Sequence, residues 1–157
     1  MIRRAEPQDA AALAALWNPW IVETAITFNS VPKTADDLRQ MMADRDRAGH
    51  GIFVAETAAG LAGFAGYAQF RAGPGYATCM EHTISLQPAL RGQGLGRALL
   101  TAVEDHARQA GAHQMIRIFD QDSACQLLSE SAEADIVGRA SRPIENRRVA
   151  WTDVAPK

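Results

Sequence analysis

Long apolar runs are missing from this 157-residue chain. A membrane-spanning helix needs roughly 18 to 20 of them without interruption, so a soluble protein with no membrane partner is expected. An excess of one charge is missing too. Sixteen Lys and Arg stand against 18 Asp and Glu, a net charge of −2, which supplies neither a basic field for nucleic acid nor a polyanionic tail. Cysteine is scarce: Cys79 and Cys125 lie far apart without metal-ligand spacing, so neither a disulfide framework nor a metal site is expected. Nothing around either thiol marks it as an activated nucleophile. No basic-then-apolar leader precedes the first predicted strand, and a reduced, cytoplasmic setting fits best. With no repeats or low-complexity linker, one domain spanning 1–157 is the default, large enough to bury a core without cross-links.

What the chain does have is Arg91-Gly92-Gln93-Gly94-Leu95-Gly96-Arg97, set between a strand-like segment and a long amphipathic helix. Three glycines in five positions let a backbone approach a ligand closely and adopt dihedrals closed to other residues. A helix beginning there points unpartnered N–H groups and the positive end of its dipole outward, which suits an anion such as a pyrophosphate. An ordinary turn at a helix start is the alternative for such a run in isolation. A Walker loop is disfavoured because no Lys-Ser/Thr closes the glycines, and the spacing does not fit a dinucleotide fingerprint.

Around that run the pattern predicts alternating elements. Met1 to Arg4 opens a strand, and a helix from near Pro7 to about Trp17 carries Leu13, Leu16 and Trp17 before Pro19 ends or kinks it. Thr34 reads as an N-cap with Asp37 in the capping-box position, leading a helix to about Ala48 with Leu38, Met41 and Met42 on one face. Ile52 to Ala55 and Leu61 to Phe70 form a hairpin, in which Gly63 and Gly66 weaken the second strand or mark close backbone approach. After a turn-rich loop from Arg71 to Tyr76, Ala77 to Leu86 alternates, with Met80, His82, Ile84 and Leu86 opposite Cys79, Glu81, Thr83 and Ser85. Arg97 to Ala110 is helical and stopped by Gly111; Gln114 to Phe119, Ile136-Val137 and Val149 to Val154 are strands, with a short helix over Asp122 to Glu130.

This order, and the match of Arg91-Gly92-Gln93-Gly94-Leu95-Gly96 to the pattern Arg/Gln-x-x-Gly-x-Gly/Ala, resembles the GNAT superfamily of acyl-CoA N-acyltransferases. A narrower resemblance, to the phosphinothricin acetyltransferase-like branch, is carried by Thr24-Ala25-Ile26-Thr27-Phe28, Phe70-Arg71 with Gly75-Tyr76, Glu81-His82-Thr83-Ile84 and Trp151-Thr152-Asp153-Val154. The resemblance implies an α/β (α+β) fold: a mixed, mostly antiparallel sheet splayed between strands 4 and 5 and flanked by about four helices. It also implies acetyl-CoA as donor with no metal, a small amino-acid-like amine as acceptor, and a homodimer. Peptide N-termini or polyamines are alternative acceptors, and a non-catalytic acyl-CoA-binding module is the alternative outside enzymes.

By the same resemblance, Ile84, Ser85 and Leu86 bind the pantetheine arm through strand-type hydrogen bonds. Arg91, Gly92, Gln93, Gly94, Leu95, Gly96 and Arg97 hold the pyrophosphate. Asp122 stands where the family has Asn near the cofactor and Ser129 where it has His. Ala132-Glu133-Ala134 replaces Leu-Gly-Phe, while Leu128 and Val137-Gly138-Arg139 keep register. No tyrosine follows Tyr76 to protonate a leaving thiolate; Ser129 or water is left for that role.

Glu81 is the candidate base, because acyl transfer to an ammonium requires a proton to leave nitrogen. A free carboxylate is a weak base near neutrality, so the role needs a raised pKa or a water relay; a sheet-edge glutamate is the plainer alternative. His82, on the opposite face, reads as packed. The planar fork of Arg71 suits the acceptor carboxylate, with Phe28, Tyr76 and Trp151 lining the pocket. A solvated loop arginine and core aromatics are the alternatives for these four.

Overall fold

The computed structural model describes residues 1–24, 30–120, 135–139 and 147–153, with side chains up to residue 116. Thr34 starts a helix as its hydroxyl pattern suggests. Its Oγ1 accepts the Asp37 N–H at 3.1 Å and the Asp37 carboxylate accepts the Thr34 N–H at 2.8 Å, a reciprocal cap that satisfies otherwise unpaired donors. That helix, α2 (Ala35–Arg47), follows strand β1 (Ile2–Arg4) and helix α1 (Ala10–Glu23).

Two details of α1 differ from the sequence reading. Pro7 lies in a 3-10 turn, Pro7–Asp9, ahead of the helix proper, and α1 runs through Pro19 to Glu23 instead of ending near Trp17. A proline inside a helix costs about 3 kcal/mol, and here the last turn is held down by Ile21, which is buried beyond the proline.

The strands are β2 (Ile52–Thr57), β3 (Gly60–Gln69), β4 (Cys79–Leu86), β5 (Gln114–Asp120), β6 (Asp135–Arg139) and β7 (Arg147–Asp153), with α3 (Leu95–Gln109) between β4 and β5. The seven strands among the described residues form one sheet in the order β1-β2-β3-β4-β5-β7-β6, antiparallel except for the β4–β5 pair. This is the mixed, mostly antiparallel sheet expected. Three α-helices lie among the described residues; the predicted Asp122 to Glu130 helix lies outside them.

Alternation along the strands divides the core into two layers. Ile52, Val54 and Phe64 face α1 and α2, meeting Leu13, Leu38 and Met42. Ala65, Tyr67, Met80 and Met115 face α3, meeting Leu99, Val103 and Ala107. Burying each larger apolar side chain contributes about 1.5–3 kcal/mol.

A polar latch joins distant parts of the α3 layer. Arg4 Nη1 lies 3.3 Å from His106 Nε2, and His106 Nδ1 lies 2.7 Å from the Tyr67 hydroxyl. Arg4 only donates, so Nε2 accepts and the proton sits on Nδ1, directed at Tyr67. The Tyr67 hydroxyl then donates to the Gly49 carbonyl at 3.4 Å, and Arg4 Nη2 reaches Asp46 at 2.7 Å. No helix among the described residues is long and apolar enough to cross a membrane.

Candidate active site

The sheet is open at its centre. β4 pairs with β3 along its whole length, from Met80↔Gln69 to Leu86↔Gly63, but with β5 only from Cys79↔Gln114 to His82↔Arg117. Beyond that point the two parallel strands diverge. Phe70 N–H donates to the Cys79 carbonyl and Gln87 N–H to the Ala62 carbonyl, so odd-numbered residues of β4 bond to β3. The backbone groups of Ile84 and Leu86 therefore point into the gap, since alternate residues of a strand face alternate edges. The Ser85 hydroxyl, on the same face of β4 as Glu81, is buried with no hydrogen-bond partner among the described residues. Gly63 permits the tight β3–β4 contact beside it: an added Cβ would sit 2.6 Å from the Ser85 carbonyl oxygen.

At the mouth of this gap lies the glycine loop. Gly92 and Gly94 have φ of 76° and 78°, and Gly94 is the N-cap of α3. An added Cβ at either would meet nothing within 4 Å, so the backbone conformation, not crowding, calls for glycine. Leu90 and Leu95 anchor the loop on both sides in the α3-layer core, and Gly96 is buried. The first intrahelical bond runs from the Ala98 N–H to the Gly94 carbonyl, which leaves the Leu95, Gly96 and Arg97 N–H groups without helical acceptors. Gln93 and Arg97 are exposed. Arg91 is exposed as well, its guanidinium carbon 5.4 Å from the centre of the Trp20 ring on α1. Open strand edge, orphaned Ser85 hydroxyl and anion-suited helix start together fit the extended arm and pyrophosphate of a coenzyme A thioester.

Glu81 is half-buried in the last-but-one β4–β5 pair before the divergence. It lies on the α1/α2 face and occupies one row across the sheet with Ala68, Ile116 and Trp151. His82 is buried on the opposite, α3 face beside Tyr67, as its alternation predicts. Cys79 is buried, and burial pushes its thiol pKa up, which keeps it protonated and a poor nucleophile.

Next to the Glu81 row, α2 and the end of β3 enclose a cleft of about 660 Å³ lined by, among others, Lys33, Met41, Arg45, Ala68 and Arg71. Arg71 is exposed and stacks on Phe70 at 5.0 Å, and the Tyr76 ring meets the same Phe70 edge-on at 6.1 Å. Gln69 Nε2 fixes this loop by donating to the Arg71 and Gly73 carbonyls at 2.7 and 2.9 Å. Tyr76 thus joins Arg71 through Phe70, although it does not line the cleft itself.

Arg45 was not singled out from the sequence. It is half-buried, and an added Cβ at Gly66 would lie 2.5 Å from its Nη1, so Gly66 makes room for the guanidinium. Burial disfavours its charged form and the Glu81 carboxylate favours it. A signal was available: Leu38, Met41, Met42 and Arg45 follow the i, i+3, i+4, i+7 spacing of the buried stripe, where a cation is out of place.

Phe28, Asp122 and Ser129 lie outside the described residues, and Trp151 is placed by its backbone alone. The segment holding Phe28 is bracketed by Asn18. Its Nδ2 donates to the Lys33 carbonyl at 2.9 Å, and its Oδ1 accepts the Lys33 N–H at 2.8 Å.

The sequence profile of the Acetyltransferase (GNAT) family matches residues 14–130. This chain belongs to that family. The L-amino acid N-acyltransferase MnaT of Escherichia coli is 28% identical to this GNAT chain over 153 residues, 98% of the chain and 89% of the relative. An L-methionine sulfoximine/L-methionine sulfone acetyltransferase of Pseudomonas aeruginosa is 31% identical over 127 residues, 80% of the chain and 74% of the relative. In fold, the chain is similar to yncA of Salmonella typhimurium, solved with its cofactor acetyl-CoA, with a TM-score of 0.91 at 24% identity, covering 100% of this chain and 95% of that one. The GNAT chain is accordingly an acetyl-transferring enzyme.

Proposed function

We propose that this GNAT enzyme moves the acetyl group of acetyl-CoA to the α-amino group of a small amino-acid-like acceptor of the methionine sulfone, methionine sulfoximine or phosphinothricin type. It does so as a single domain over 1–157, working as a cytoplasmic homodimer. The observation that carries the reading is the end of β4–β5 pairing one residue beyond Glu81, which sets a carboxylate at the head of an open strand edge. The names of its relatives support the acceptor class.

Acetyl-CoA, when bound, supplies a thioester whose carbon accepts the amine and whose sulfur leaves as a thiolate. Ile84 and Leu86 offer strand-type hydrogen bonds to the pantetheine arm, the Ser85 hydroxyl is available beside them, and residues 91–97 hold the pyrophosphate. Glu81 takes the ammonium proton, directly or through one water. Arg71 receives the acceptor carboxylate, with Tyr76, Phe28 and Trp151 as pocket walls. Alignment of the two substrates supplies much of the rate.

A polyamine acceptor would call for an acidic pocket. In the cleft, however, Asp37 is engaged by Thr34, and Asp44 by Arg47 and Gln40, while Lys33, Arg45 and Arg71 supply positive charge. Thiol release from acetyl-CoA with L-methionine sulfone tests the reading; turnover with formation of the N-acetyl product is expected. CoA binding without turnover on any amine would instead identify an acyl-CoA-binding module.

A further inference from the structure

The cleft beside Glu81 contains a cation that the proposed chemistry does not yet use. Arg45 comes from the buried stripe of α2, where Leu38 and Met42 are core residues, and its guanidinium lies over Gly66 in the space a side chain would fill. Among the described residues it forms no ion pair, whereas Arg39 and Arg47 on the same helix each pair with an aspartate. The guanidinium is half-buried, at a cost in hydration that the Glu81 carboxylate offsets in part. Its planar fork matches a carboxylate in two-point contact.

Position makes the match useful. Gly66 is opposite Thr83 on β4, and Glu81 is opposite Ala68, the neighbouring row on the same face. Adjacent strands are about 4.8 Å apart, so the guanidinium stands about one strand spacing from the edge where the gap opens. A carboxylate one carbon from the reacting nitrogen, plus a hydrogen bond of about 2.9 Å, spans that distance. Ala68, opposite Glu81, lines the cleft with only a methyl group.

We infer that Arg45 is a specificity-determining residue that grips the acceptor carboxylate from the α2 side of the cleft that Arg71 also lines. This rests on the amino-acid reading of the acceptor. Arg71 is exposed, whereas Arg45 is half-buried on α2 with its guanidinium over Gly66. The half-buried arm sets where the carboxylate lies, and through it which way the amine points relative to Glu81.

The test is calorimetric binding of L-methionine sulfone and of its carboxamide to the CoA-loaded protein, for wild type, Arg45→Met, Arg45→Lys and Arg71→Met. The amide keeps the amine and side chain but lacks the charge. Wild type is expected to favour the acid by roughly 10- to 100-fold, the range for a charge-assisted hydrogen bond. Arg45→Met should bring that ratio close to 1 with CoA affinity unchanged, and Arg45→Lys should keep part of it. Should Arg45→Met fail to fold, the Arg45→Lys ratio decides: one equal to wild type overturns the inference. It is also overturned if wild type does not distinguish acid from amide, or if the preference survives Arg45→Met and disappears only in Arg71→Met. Retained acid preference without acetyl-CoA consumption would refute the catalytic reading and leave the carboxylate grip standing.

Discussion

A carboxylate beside the open strand edge can do one thing that its amide cannot, which is to accept a proton. Glu81→Gln preserves size and the β4 ladder, so its effect should fall on chemistry. We expect kcat to drop by about 10²- to 10⁴-fold, the range for loss of a general base, with the KM for acetyl-CoA unchanged. A kcat equal to wild type would remove Glu81 from that role. Cys79 provides the contrast: its buried, protonated thiol is no nucleophile for the acetyl group.

At the scale of elements, the glycine loop works through its backbone. Gly94 caps α3 in the left-handed region, where a residue with a side chain costs about 1–2 kcal/mol. Gly94→Ala should therefore lower the melting temperature and weaken CoA binding in calorimetry. Gly94→Asn, better tolerated in that region, should do less harm; equal CoA affinity in all three proteins would contradict the assignment. This loop was legible in the sequence because its conformational demand is local, and so were the Thr34 cap and the alternation separating Glu81 from His82. Other features were not local. Whether α1 survives Pro19 depends on the burial of Ile21, and the cleft exists only because α2 comes to rest on β3. Arg45 broke the pattern of its own stripe, but only the opposing Gly66 gives that irregularity a purpose.

Across the whole molecule, the chain Arg4–His106–Tyr67–Gly49 ties β1, α3, β3 and the turn after α2 together, and it needs a neutral imidazole. Burial and the nearby Arg4 cation hold the His106 pKa below its ordinary 6.5, despite an opposing pull from Asp46, and burial followed by Arg45 does the same to His50. The unfolded chain therefore takes up protons near pH 6.5 while the folded one does not. Stability is complete above that value and falls as pH drops below it, until the folded-state histidines also protonate. Urea unfolding at pH 7.5 and 5.5 should show this loss in wild type and a smaller one in His106→Gln; an unchanged pH dependence would rule out the latch as its source. The Asn18 bracket has a different consequence. Two hydrogen bonds from one side chain tie α1 to the chain just ahead of α2 at Lys33. For engineering this makes Asn18 a position to leave untouched: Asn18→Ala should lower the melting temperature, and an unchanged value would show that the two helices hold together without it.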